Sequence, residues 1–127
     1  MRPVISRVVV VVTLSVALAS GAVEAHHSFA AMFENRTDTI RGVVVQVLFR
    51  DPHSFIQLSV RDASGADVRY EVEWRGAADL TRQGVTRLTV KAGDFLIITG
   101  NPSRDPRDHW FRVASLRRPD DGFAWHE

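Results

Sequence analysis

The 127-residue sequence contains no cysteine, which excludes disulfide bonds, thiol chemistry and zinc sites built on cysteine pairs. It has no His-x-x-x-His pair, no serine in a nucleophile-elbow context and no glycine-rich phosphate loop. The usual motifs of zinc enzymes, hydrolases and nucleotide-binding enzymes are therefore missing. We expect a protein that is not an enzyme.

The sequence also lacks an excess of charge of either sign, with 16 basic residues against 15 acidic ones. A protein that binds nucleic acid usually carries a basic patch, and an anionic membrane surface attracts the same kind of patch. The balance argues against both partners.

The long apolar run is confined to the start of the chain, from Val8 to Leu18, with Arg2 and Arg7 before it. The small residues of Val23-Glu24-Ala25 follow, as at a signal-peptidase site. The run is shorter than the about 20 residues of a membrane span. We predict that residues 1–25 are a signal peptide of the general secretory pathway, cleaved after Ala25. The alternative is an uncleaved N-terminal anchor.

Cleavage would leave residues 26–127 as one small periplasmic domain with no membrane attachment. It removes two arginines and one glutamate, so the basic and acidic residues become equal in number. A chain of about 100 residues can bury a usable core without disulfide bonds.

The rest of the chain reads as five short strands with one helix. Alternating apolar residues and turn residues predict strands at 39–49, 55–61, 68–74, 95–99 and 110–116, and a helix at 77–83. Gly42 suggests a bulge or bend, Gly84 suits the end of the helix, and Gly100-Asn101-Pro102 should stop the fourth strand. The tail carries Phe123 and Trp125, which can pack back onto the body.

The order of three strands, a helix and two strands predicts an all-β fold with one short helix, a small five-stranded OB-like barrel. An open β-sandwich is the alternative. Barrels of this type that bind nucleic acid present basic and aromatic residues on strands two and three. Here the outward residues have mixed charge, and Tyr70 and Trp74 fall on the apolar side. Nucleic acid is therefore not the expected partner.

The adjacent histidines His26 and His27 follow the predicted cleavage site directly. If His26 becomes the first residue, its α-amine and imidazole can chelate copper, with a distant histidine completing the site. In a second mode, the amine, a deprotonated backbone amide and the His27 ring form a square-planar set. Both arrangements suit Cu(II), which prefers tetragonal nitrogen ligands. The alternative is a solvated chain end whose histidines bind nothing.

His53 lies in Asp51-Pro52-His53, the connection between the first two predicted strands. A ligand is usefully placed on a loop of a rigid barrel, where Pro52 stiffens the backbone and Asp51 can orient the imidazole. The alternative is that His53 merely belongs to an Asp-Pro turn.

The two remaining histidines, His109 and His126, have no supporting spacing, and we interpret them as exposed polar residues. Glu71 and Glu73 share one face of the third predicted strand. A carboxylate pair is conceivable there, but a solvated hairpin face is the simpler interpretation.

A series of motifs covers essentially the whole chain after residue 25: Ala25-His26-His27-Ser28-Phe29, Phe33-Glu34, Gly42, Pro52-His53, Gly84-Val85-Thr86, Lys91-Ala92-Gly93-Asp94 and Thr99-Gly100. In these motifs the chain resembles a family of small exported bacterial proteins of unknown function. Members typically begin His-His-Ser-Phe after cleavage and carry a central Asn-Pro-His turn, where this chain has Asp51. The resemblance implies a periplasmic β-barrel in which both histidine motifs belong to one pattern, and it supplies no activity.

Together these observations predict an exported periplasmic protein with a metal site formed by His26, His27 and His53. Asp51 would orient the imidazole of His53. Cu(II) is favoured over Zn(II). The alternative is a module that binds a small periplasmic ligand or a protein through a surface near Trp74 and Trp110. A third hypothesis is an oxidative copper enzyme, which needs an open coordination position.

Overall fold

The computed structural model describes residues 29–127. The chain divides into two units, Met1–Met32 and Phe33–Glu127. In the first unit, residues 29–32 have helical backbone. The second unit contains six strands and a short helix: β1 (Asp38–Leu48), β2 (His53–Arg61), β3 (Asp67–Arg75), α1 (Ala77–Arg82), β4 (Phe95–Pro102), β5 (Trp110–Arg118) and β6 (Phe123–His126). Within residues 29–127, no helix is long and apolar enough to cross a membrane.

Five of the strands form a closed barrel. Neighbours follow the order β3, β2, β1, β4 and β5, and a parallel pairing of β3 with β5 closes the ring. The other pairings are antiparallel. The predicted barrel with one helix between the third and fourth strands is confirmed, and the open sandwich is not observed. The added strand β6 lies outside the ring, paired with β5.

The alternation in β2 and β3 decides which side chains fill the barrel. Ile56 and Leu58 of β2 and Val72 and Trp74 of β3 are buried, while the residues between them lie on the outer face. The other strands, α1 and the connector after it complete the core, which also contains Ile40, Val44, Leu80, Val85, Val90, Leu96, Ile98, Phe111, Val113, Leu116 and Trp125. Burying each large apolar side chain contributes about 1.5–3 kcal/mol.

Helix α1 ends as the sequence indicates. Gly84 has a φ of 82°, which favours glycine because other side chains are strained there. The amide of Gly84 donates to the carbonyl of Thr81, and that of Val85 donates to Leu80. These two bonds satisfy the last carbonyls of the helix, as in a Schellman motif.

The prediction that β4 stops at Gly100 is wrong. The strand continues to Pro102 through an irregularity between Thr99 and Gly100. A side chain at Gly100 would collide with the carbonyl of Arg112 on β5, so the glycine permits close approach of two strands.

Gly42 also marks a close approach, because a Cβ there would collide with the carbonyl of Ser59. The predicted irregularity in β1 exists, but it lies two residues later, between Val44 and Gln46. The sequence located the distortion of the strand only approximately.

The tail after β5 is part of the sheet. Trp125 packs edge-on against Trp74, with 5.5 Å between ring centroids, and its indole nitrogen donates to Oε1 of Gln83 at 2.7 Å. Phe123 packs against the core as well. The predicted packing of these two aromatic residues is confirmed, while the strand β6 was not predicted.

The turn from β5 to β6 is organised by Arg118. Its guanidinium donates to both carboxylate oxygens of Asp121, at 2.9 and 2.8 Å, and to Oδ2 of Asp94 at 2.7 Å. It also donates to the carbonyl of Thr89 at 2.6 Å. One cation therefore joins this turn to the connector before β4.

Candidate functional site

His53 is the first residue of β2 and lies opposite Arg75 in the antiparallel pair with β3. Because side chains alternate along a strand, His53 points to the outer face, next to the fully buried Ser54. Its side chain is 54% exposed. The structure thus presents this imidazole to solvent from the end of a rigid strand.

The partner of His53 is Glu73, a diagonal neighbour on β3. Nδ1 of His53 lies 3.1 Å from Oε1 of Glu73, whose side chain is only 13% exposed. The two atoms lie within ion-pair distance, and a negative carboxylate at this position favours a proton on Nδ1 of the imidazole. Nε2 is then the nitrogen with a free lone pair. A histidine held in this way by a carboxylate is the arrangement found behind many metal-binding imidazoles.

Asp51 contacts the first turn of the helix. Its Oδ1 accepts a hydrogen bond from the amide of Ala78 at 3.1 Å, and the carbonyl of Arg50 accepts one from Ala77 at 3.0 Å. These bonds satisfy amides in the first turn of α1, which lack partners inside the helix. This contact of Asp51 is structural, and Glu73 is a residue that the structure places beside the imidazole.

The turn formed by Asp51 and Pro52 lies close to the start of α1 because Gly76 has no side chain. A Cβ at Gly76 would lie 2.5 Å from the carbonyl oxygen of Pro52 and 2.6 Å from Oδ1 of Asp51. The peptide bond between Asp51 and Pro52 is cis. The absence of a side chain at Gly76 thus lets the residue before the helix pack directly against the turn that precedes β2.

A small cleft of about 70 Å³ adjoins His53 and Glu73. Arg75, Arg112 of β5 and Glu127 form much of its wall. The guanidinium groups of both arginines donate to the same oxygen of Glu127, at 2.8 Å from Arg75 and 2.7 Å from Arg112. We call this region the His53 cleft.

The two tryptophans of the predicted ligand surface differ in position. Trp74 is 3% exposed and packs in the core against Trp125, so it offers no open contact surface, although one edge borders the His53 cleft. Trp110 is half-buried and packs edge-on against Phe33, with 5.3 Å between ring centroids. Among residues 29–127, neither indole nitrogen has a hydrogen-bond partner.

The other histidines lie before β5 and on β6. His109 precedes β5 with a φ of 45°, and its ring lies 5.2 Å from that of Tyr70. His126 is exposed on β6. His26 and His27 lie outside the described residues. Within residues 29–127, no three side chains of the histidine, aspartate or glutamate type converge as a metal site would require.

Sequence reasoning did not identify the charged residues around His53. Glu73 stood on the predicted outer face of the third strand, while the others stood after that strand, in the fifth strand and in the tail: Arg75, Arg112 and Glu127. The length of the hairpin turn, which sets Arg61 opposite Asp67, is the feature that brings Glu73 beside His53. The parallel pairing that places Arg112 opposite Glu73 has no local signature in the sequence.

A family model described as a family of unknown function, DUF6152, matches residues 12–111. The match covers most of the chain, which therefore belongs to this family. It includes the segment with His26 and His27 as well as the turn that leads to His53. No curated protein matches the chain.

Proposed function

We propose that this DUF6152 protein is exported to the periplasm and binds Cu(II) through His53 and the histidines at the start of the cleaved chain. The observation that carries the proposal is the contact between His53 and Glu73, because a carboxylate beside Nδ1 of an exposed imidazole favours metal binding through Nε2. In this arrangement Nε2 of His53 is the ligand atom.

The second half of the site is assigned to residues 26 and 27. Cleavage after Ala25 would free the α-amine of His26, which has an ordinary pKa of about 8 and is easier to deprotonate than a lysine. The amine and imidazole of His26 would provide two nitrogens, and His53 would provide a third. His27 would act as a further ligand, or it would hold a ligand in place without contacting the metal.

Copper is favoured over zinc because of the ligand types. A set of amine and imidazole nitrogens suits the tetragonal geometry of Cu(II), which also heads the affinity series of the divalent metals. Sequence features that would favour zinc, cysteine pairs above all, are absent from the whole chain.

The experiment is to isolate the exported protein, measure its intact mass and titrate it with Cu(II) and Zn(II) against a competing chelator. We expect a chain that starts at His26 and binds one Cu(II) more tightly than Zn(II). His53→Ala should weaken copper binding about 100-fold, because replacement of residues that only support a ligand already costs 10–100-fold.

The matched control is His126→Ala, which removes an exposed histidine from β6 and should leave copper affinity unchanged. His27→Ala distinguishes the two chelation modes, since only the square-planar mode needs the His27 ring. A mature chain that begins elsewhere, or a His26→Ala protein with unchanged copper affinity, would disprove the proposal.

A further inference from the structure

Two arginines from adjacent strands meet at one carboxylate in the His53 cleft. Glu73 of β3 lies opposite Arg112 of β5, and Arg75 follows two residues later on β3. Both guanidinium groups donate to Oε1 of Glu127 at normal hydrogen-bond distances. The barrel thus positions two planar, permanently charged donors so that they converge on a single acid group.

From this geometry we infer that the cleft is a binding site for a small carboxylate ligand, and that Glu127 occupies the site as an internal competitor. Arginine forks match the geometry of a carboxylate and form strong charge-assisted hydrogen bonds with it. A free carboxylate that replaced Glu127 could offer one oxygen to each guanidinium.

Glu127 is a displaceable occupant. Its side chain is 30% exposed, and ion pairs at this level of exposure are weak because water screens them. Its residue lies just beyond β6, where one backbone hydrogen bond, from its amide to the carbonyl of Ala114 at 2.8 Å, keeps it near the cleft. Rotation of the side chain would break its contacts with the two arginines, while Arg75 would keep an ion pair with Asp79 at 3.7 Å.

The position of the site beside His53 suggests what kind of ligand it takes. The volume of about 70 Å³ admits an acid group while the rest of a small molecule stays in solvent. His53 and Glu73 border the same space, so a ligand held by the arginines lies next to the imidazole. The inference does not require a bound metal, and its test uses metal-free protein, so its outcome is independent of the copper titration.

The test is calorimetric titration of the full-length exported protein with succinate after removal of metals by a chelator. Glu127→Gln keeps the size of the side chain but removes its charge, and we expect it to bind succinate at least about tenfold more tightly than the unmodified protein. Arg75→Gln and Arg112→Gln, each combined with Glu127→Gln, should lose this binding.

Arg61→Gln combined with Glu127→Gln is the matched control. Arg61 pairs with Asp67 at the far end of the same hairpin, and its removal should leave succinate binding unchanged. Arg75 is the more exposed of the two arginines, and its variant keeps the test valid if Arg112→Gln does not fold. Inorganic phosphate is titrated in parallel and should bind more weakly than succinate.

Three results would overturn the inference. The first is equal succinate affinity with and without Glu127→Gln. The second is an equal loss of binding in the Arg61→Gln and Arg75→Gln variants, which would indicate attraction by net charge alone. The third is tighter binding of phosphate than of succinate, which would remove the assignment to carboxylates.

Discussion

The imidazole of His53 and the carboxylate of Glu73 are joined across the β2–β3 pair, with 3.1 Å between Nδ1 and Oε1. One partner is exposed and the other is largely buried, so the carboxylate anchors the ring while the ring stays accessible. This relationship connects the hairpin register to the chemistry of the site, because a shift of one residue would turn Glu73 to the other face of the sheet.

Replacement of Glu73 tests whether this anchoring matters for metal binding. In Glu73→Gln the amide oxygen can still accept from Nδ1, but the charge that makes the imidazole a stronger ligand is lost. We expect copper affinity to fall about 10–100-fold, the usual cost of losing a group that supports a metal ligand. The measurement is the competitive copper titration.

Glu71→Gln is the control for this variant, because Glu71 lies on the same face of β3, opposite Gln57 rather than beside His53. It should bind copper like the unmodified protein. Equal losses in the two variants would mean that only the overall charge of the face matters.

Replacement of Asp51 separates a structural role from a role at the site. Asp51→Ala removes the acceptor for the amide of Ala78, and we expect the free energy of unfolding to decrease by about 1 kcal/mol, as for the loss of other side-chain caps. Asp51→Asn keeps an acceptor oxygen and should lose less. Urea denaturation measures both values.

The same two proteins are titrated with copper, and their affinities should be unchanged. Weaker copper binding by Asp51→Ala at undiminished stability would contradict the structural role and restore Asp51 as a support for His53.

Acid should loosen the β5–β6 turn. The hydrogen bonds from Arg118, together with one from the backbone of Phe123, lower the pKa of Asp121 from 3.8 to about 2. A depressed pKa in the folded state stabilises the protein above the unfolded value and loses this contribution as the carboxylate is protonated. The stabilisation from Asp121 is thus complete above about pH 4 and disappears as the pH falls toward 2.

Asp121→Asn should therefore be less stable at neutral pH and should show a smaller loss of stability between pH 4 and pH 2. Urea midpoints measured across this range provide the check, with Asp120→Asn as the control from the same turn. An Asp121→Asn protein with the full acid dependence of the unmodified chain would show that the Arg118 contact does not contribute.

The local features were predictable because each depends on neighbouring residues. The alternation of Ile56 and Leu58 with polar residues defined β2 and its buried face, and Gly84 marked the end of α1. The extension of β4 past Gly100 was not predictable in this way, because glycine and proline usually interrupt a strand. Here the carbonyl of Arg112, supplied by another strand, needs the space that Gly100 leaves.

The features of the candidate site also fall into those set by neighbouring residues and those set by contacts between distant parts of the chain. The sequence by itself determined an all-β body with one short helix, the outward direction of Glu71 and Glu73, and the candidacy of His26, His27 and His53, because periodicity and residue chemistry are local properties. Only the tertiary structure decided that Glu73 lies beside His53, that Asp51 contacts α1, and that Arg75 and Arg112 meet at Glu127. Those contacts depend on hairpin register, on closure of the barrel through β3 and β5, and on the docking of β6, and each of these is set by packing between residues distant in the chain.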